Sequence, residues 1–336
     1  MDSLTQLALG AAVGVATMGR RTAVWKAALW GGIAGTLPDL DALIDYGDAV
    51  ANMTYHRTES HSLFWLTAAS PLLAGLAAKV HGELGQFRRW WLAIWLALVT
   101  HPLLDTMTVY GTQLLLPFTD HPSGVGSIFI IDPLYTVPLL VGLIVALSRR
   151  GYAGLGWNTG ALVLSTLYLA WSAVAQWHVR EVAQASLAER GIRAERVLVT
   201  PTAFNTLLWR VVAMREGGYE EGFYSLLDDK PRMRFDSFAS DAALHRQLAG
   251  HWPVPRMAWF SHGFYKMHER AGGAYITDLR MGQEPHYVFN FRVAERTADG
   301  WKPVTAQNQG SRGGDLGSAV QWLWARMLGN DLPPPR

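Results

Sequence analysis

Two polar clusters interrupt an otherwise apolar N-terminal half, and their side chains are of the kinds that hold metal ions. The first is His56-Arg57-Thr58-Glu59-Ser60-His61-Ser62; the second is Thr100-His101-Pro102-Leu103-Leu104-Asp105. Imidazole and carboxylate are costly in an apolar segment, so their presence there points to a function. The chain has no cysteine, which excludes thiolate catalysis, thiolate zinc sites and disulfides. Imidazole with carboxylate suits Zn²⁺, Mn²⁺ or Fe²⁺ in an open, catalytic site, with zinc the first expectation.

Spacing constrains how these residues meet. His101 and Asp105 stand four apart, on one helix face, as two ligands on a single helix must. Pro102 between them removes a backbone donor and is expected to kink that helix. His56 and His61 are five apart, roughly 140° around an ideal helix, so one regular helix cannot aim both inward. His56 is therefore expected in a loop and His61 at the start of the next helix, with Ser60 near its N-cap. Asp39 and Asp41 follow Pro38 and can converge only in a turn. Asp41 and Glu59, beside the expected ligands, are general-base candidates. Arg57 is the candidate to hold an anionic substrate oxygen.

Blander readings stand beside these. Asp2 either complements the N-terminus of the first helix or serves as a further ligand. Asp132-Pro133 either opens a helix or supports the site from behind. Without a metal, His61, His101 and Asp105 would form a buried hydrogen-bonded triad. In the C-terminal half, His262, His268 and His286 read as structural surface histidines, and Ser261-His262 lacks the rest of a triad.

The elements that must position these groups follow from composition. Residues 1–178 hold 9 Lys/Arg and 10 Asp/Glu against 20 and 17 in residues 179–336. The first part has a membrane composition and the second that of a soluble domain. A formal net charge of +2 argues for no polyanionic partner, and no nucleic acid is expected. No basic stretch precedes the first apolar run, so no cleavable signal peptide is expected.

Apolar runs at 3–18, 23–37, 62–78, 90–104, 133–147 and 155–177 predict about six spans, several shorter than the roughly 20 residues of an upright crossing. The first opens on Ser3-Leu4-Thr5-Gln6, a capping-box pattern. Arg20, Arg21, Lys26, Lys79, Arg88, Arg89, Arg149 and Arg150 fall in alternate loops, which are cytoplasmic under the positive-inside tendency. Both polar clusters and the C-terminal part then lie outside. The fold class expected is a membrane all-α helical bundle (1–178) followed by an extracytoplasmic α+β domain (179–336). In the latter, 204–214 and 219–227 predict a hairpin about Gly217-Gly218, 275–281 and 286–294 two more strands, and 241–249 and 317–328 helices.

These residues resemble the bacterial inner-membrane proteins of the YdjM type, metal-dependent hydrolases. The pieces that carry the resemblance are Asp2-Ser3-Leu4-Thr5-Gln6, Gly35-Thr36-Leu37-Pro38-Asp39-Leu40-Asp41, His56-Arg57, Ser60-His61-Ser62 and His101-Pro102-Leu103-Leu104-Asp105. Thr108–Thr112, Pro117-Phe118 and Asp132–Tyr135 continue it in order. Ser60 stands where such proteins tend to have Thr, which keeps the hydroxyl. The region 180–336 resembles extensions on only some of them. The resemblance implies metal-ligand roles for Asp39, His56, His61, His101 and Asp105. It implies a metal-dependent hydrolase, expected to act through a metal-activated water; a site at interface depth beside Arg57 suggests, from its location, a lipid-borne or phosphorylated substrate. The alternative is a membrane sensor or scaffold with a structural metal. A transporter is disfavoured, because polar residues gather near one face and not at mid-membrane.

Overall fold

The first apolar run folds as α1 (Ser3–Met18), whose N-cap is Asp2: its carboxylate accepts from the Thr5 N–H at 3.1 Å. The computed structural model describes residues 1–149, 152–311 and 315–336, so Arg150 lies outside the described residues. α2 (Val24–Thr36) crosses α1 backbone to backbone, and glycine makes that approach possible. A Cβ on Gly10 would sit 2.3 Å from the Gly31 carbonyl oxygen, and one on Gly35 2.6 Å from that of Gln6. Small residues let helices approach this closely.

A 3₁₀ turn (Pro38–Leu43), α3 (Ala49–Tyr55) and a second 3₁₀ turn (Glu59–His61) lead into α4 (Leu63–Val80) and α5 (Phe87–Thr106). α6 (Pro133–Ser148) and α7 (Tyr152–Glu189) complete the helical region. Every apolar run of the sequence is thus a helix. Two segments are long and apolar enough to cross a membrane, Leu63–Val80 and Ala153–Glu189 within α7. This corrects the expectation of about six. α1, α2 and α6 have 16, 13 and 16 residues, which reach about 20–24 Å against a hydrocarbon core of about 30 Å. α5 is longer, but it opens on Arg88-Arg89 and encloses His101 and Asp105.

The chain divides into two compact units, and the division does not follow sequence order. The first comprises Met1–Ile44, Arg57–Ser172 and Ala203–Asn205; the second comprises Asp45–His56, Ala173–Thr202 and Thr206–Arg336. In the first, α5 is central, burying Trp90, Ile94 and Leu98 among alanines of α1, α2 and α4.

The second unit is sheet-rich. β1 (Arg196–Pro201), β2 (Leu208–Arg215), β3 (Gly218–Ser225) and β4 (Phe235–Ala239) form an antiparallel meander. Its β2–β3 hairpin turns at Gly217, φ 73°, where the sequence placed it. α8 (Ala242–Leu248) and α9 (Pro253–Phe260) lead into β5 (Tyr265–Arg270) and β6 (Gly273–Asp278). A two-residue ribbon, β7 (Gly282–Gln283) with β8 (His286–Tyr287), precedes β9 (Asn290–Thr297), β10 (Gly300–Asn308) and α10 (Leu316–Met327). The second sheet has the order β10-β9-β6-β5. α3 belongs to this unit: the Arg256 guanidinium of α9 lies between the rings of Tyr55 and Trp259 and donates to Thr54. A helical N-terminal region is therefore followed by a sheet-rich C-terminal domain.

Candidate metal centre

Proline and short turns bring the acids into place. Pro38 starts the 3₁₀ turn that carries Asp39 and Asp41, a tighter winding than an α-helix gives. His61 closes the Glu59–His61 turn, and Ser62, not Ser60, is the N-cap of α4. His101 and Asp105 come from one face of α5.

Each imidazole is oriented from behind. His101 Nδ1 lies 2.6 Å from the Gly35 carbonyl oxygen, so it donates there and turns Nε2 inward. His61 Nδ1 lies 2.9 Å from Ser60 Oγ, which in turn donates to Asp41 Oδ2 at 2.6 Å. A hydrogen-bonded Nδ1–H with Nε2 directed at a common point is the arrangement of metal-binding histidines.

Four atoms meet at that point: Asp39 Oδ1, His61 Nε2, His101 Nε2 and Asp105 Oδ2. The two nitrogens are 3.1 Å apart; each is 3.5 or 3.4 Å from Asp39 and 3.3 or 3.6 Å from Asp105. All four ligand atoms lie within 4.8 Å of one another. A tetrahedral ion with ligands at about 2.0–2.1 Å needs ligand–ligand edges of about 3.3 Å. Five of the six edges thus fall close to that spacing. Asp39 is 19% exposed and the other three are fully buried, so access is from the Asp39 side.

The remaining contacts leave atoms unsatisfied toward this point. Asp105 Oδ1 is held by Gln6 Nε2 at 3.0 Å and by the Met1 amino group. Asp105 Oδ2 is buried and accepts no hydrogen bond. Arg57 Nε stands 3.1 Å from it, close enough for an ion pair but misdirected for a hydrogen bond; Nε and Nη1 are both buried without one. Arg57 has φ 67°, a left-handed conformation uncommon outside glycine. Its N–H donates to Asp41 Oδ2, its carbonyl accepts from Gln113, and its guanidinium lies 4.7 Å over the Tyr110 ring. Burial alone would push the His61 pKa down; the carboxylates of Asp105, Asp39 and Asp41 outweigh it and raise it to about 9. Asp39 is likewise raised by burial but held well below the usual carboxylate range by His101 and His61.

The other expected site residues stand elsewhere. Asp41 and Arg57 touch the four-atom group from outside. His56 is not in it: it terminates α3, in the second unit, with its N–H on the Asn52 carbonyl. Glu59 is exposed at the start of its turn, and Asp2 serves as the α1 N-cap. Sequence reasoning missed the part played by Gln6. The capping-box pattern opens on Ser3, but the N-cap is Asp2, and Gln6 instead donates to the His101 carbonyl and to Asp105. The signal available was spacing: Gln6, Gly10 and Gly14 recur every four residues on the face that meets α2.

The family described as YdjM inner membrane protein matches residues 1–179, which include every member of this group. A relative, the "Uncharacterized protein YfhP" of Bacillus subtilis (strain 168), is 25% identical over 243 residues, 68% of this chain and 71% of its own. No solved structure matches the chain.

Proposed function

Because the chain belongs to the YdjM inner membrane protein family, we propose that it is a polytopic metal-dependent hydrolase with its metal centre at the extracytoplasmic face of the inner membrane. The observation that carries this reading is the near-tetrahedral meeting of Asp39, His61, His101 and Asp105 around an unsatisfied carboxylate oxygen. Two imidazoles and two carboxylates suit zinc first, then manganese or iron. When bound, such an ion lowers the pKa of a coordinated water toward ~7 and supplies a nucleophile at neutral pH.

The protein's own groups take distinct parts. Gly35 and the Ser60–Asp41 pair hold the imidazoles in the ligating tautomer. Asp41, committed to Ser60 and the Arg57 N–H, positions His61 and leaves Glu59, two residues before it and exposed, to accept a proton. Arg57 offers Nε and Nη1 to an anionic oxygen of the substrate. The basic loops orient the centre outward, and a centre at that depth beside a guanidinium suits a lipid-borne or phosphorylated substrate.

One observation favours the second reading, a sensor or scaffold with a structural ion. Four protein donors already complete a tetrahedral shell. Catalysis requires a fifth position or displacement of Asp39, the most exposed of the four. Cobalt substitution separates the two. Hydrolysis of phosphoesters or esters with a five- or six-coordinate Co²⁺ spectrum supports the enzyme. A four-coordinate spectrum that no substrate alters, with no turnover, rejects it.

A further inference from the structure

One face of the second sheet holds a cavity of about 100 Å³ among the basic residues of its edge strand. Alternation along β5 creates it. Met267 points into the core in register with Ile276 and Phe291, all nearly inaccessible, so Lys266, His268 and Arg270 must face the other way. Arg270 lies opposite Gly273, and His268 opposite Tyr275. Thr277, Tyr287, Asn290 and Gln309 complete the lining.

Most polar groups around this cavity have partners. Tyr275 donates to Gln309 Oε1 at 2.9 Å, Lys266 pairs with Glu284, and Arg292 stands 3.6 Å from Glu295. Two do not. His268, stacked on Tyr275 at 5.2 Å, has a buried Nδ1 that makes no hydrogen bond. Arg270 makes no ion pair among the described residues. A buried polar atom left unpaired is costly, so one in a native fold needs an explanation.

We propose that this cavity binds a single phosphate group, free or as a monoester, with Arg270, which has no ion pair among the described residues, supplying charge, Lys266 beside it and the His268 ring in the wall. The size fits one such group, since pockets for larger ligands run to roughly 300–1,000 Å³. A guanidinium fork and an ammonium are the side chains that recognise phosphate oxygens. Burial, then the nearby Lys266, lower the His268 pKa to about 4, so the ring lining the cavity is neutral.

The test is calorimetric titration of the full chain in phosphatidylcholine nanodiscs with inorganic phosphate at constant ionic strength, with and without EDTA. Saturable binding that persists under EDTA is expected, weakened about tenfold or more in Arg270→Gln and His268→Ala. It should be unchanged in Arg296→Gln, an exposed arginine of the same sheet paired with Glu269. Discs that include phosphatidic acid distinguish the source. Competition there identifies a lipid headgroup and its absence free phosphate, both with the variants behaving as stated. No saturable binding, binding lost under EDTA, or wild-type affinity in Arg270→Gln would overturn the proposal.

Discussion

Both units bury charge, but they resolve its cost in opposite ways. In the sheet-rich unit the buried arginines meet carboxylate, carbonyl and hydroxyl partners. Arg210 donates to Glu221, to the Leu279 carbonyl and to the Tyr287 hydroxyl; Arg280 grips both oxygens of Asp278; Arg326 does the same with Asp228. In the helical unit the buried groups converge and remain incomplete: Asp105 Oδ2 accepts nothing, and two Arg57 nitrogens donate to nothing. Burying a charge without a partner is expensive in either setting. Satisfied networks specify a fold, whereas convergent unsatisfied donors indicate that something else completes them.

Breaking a complete network should have the largest effect on stability. Arg210→Ala leaves Glu221 with Arg336 alone as its ion-pair partner among the described residues and strands the Leu279 carbonyl and Tyr287 hydroxyl contacts. It is expected to cost about 2–3 kcal/mol in denaturant unfolding. Metal content per folded molecule should not change. If metal is lost while stability is kept, the contrast between the units fails. Ser60→Ala should do the reverse. It removes the link from His61 Nδ1 to Asp41 and is expected to weaken metal binding about 10–100-fold. Ser60→Thr keeps the hydroxyl and should restore most of it. The smallest effect is on pH dependence. His268 has a folded pKa of about 4, below its unfolded value of 6.5. Between those values the unfolded chain binds the proton that the folded chain refuses, so stability falls as pH drops from 6.5 to 4. After discounting for partial exposure the loss is about 1 kcal/mol, and His268→Gln should abolish it in parallel unfolding series at pH 7 and pH 4.5.

Local spacing made part of the centre legible. His101 and Asp105 share a face because they are four apart on α5, and Asp39 and Asp41 share a turn because Pro38 precedes them. What orients them was not legible, because it comes from distant backbone. The Gly35 carbonyl reaches His101 only after α1 and α2 cross at their glycines, and Gln6 reaches Asp105 only across α1 and α5. His56 sits close in sequence to His61, yet α3 packs on α9 and takes it into the other unit. In the sheet domain β2 and β3 announced themselves by aromatic and branched residues around Gly217. β5 did not, because its polar face is Lys266, His268 and Arg270; β10 carries Pro303, and α9 opens on Pro253 and Pro255, residues that read as breaks.

The most direct measurement is the metal content of detergent-purified protein by inductively coupled plasma mass spectrometry. About one divalent ion per chain is expected in the wild type. The ion should be lost in His101→Ala and in Asp39→Asn, whose small change at a partly exposed position preserves folding. Equal metal in all three proteins, or folded wild type that takes up none from zinc, manganese or iron, would contradict a metal centre at these residues.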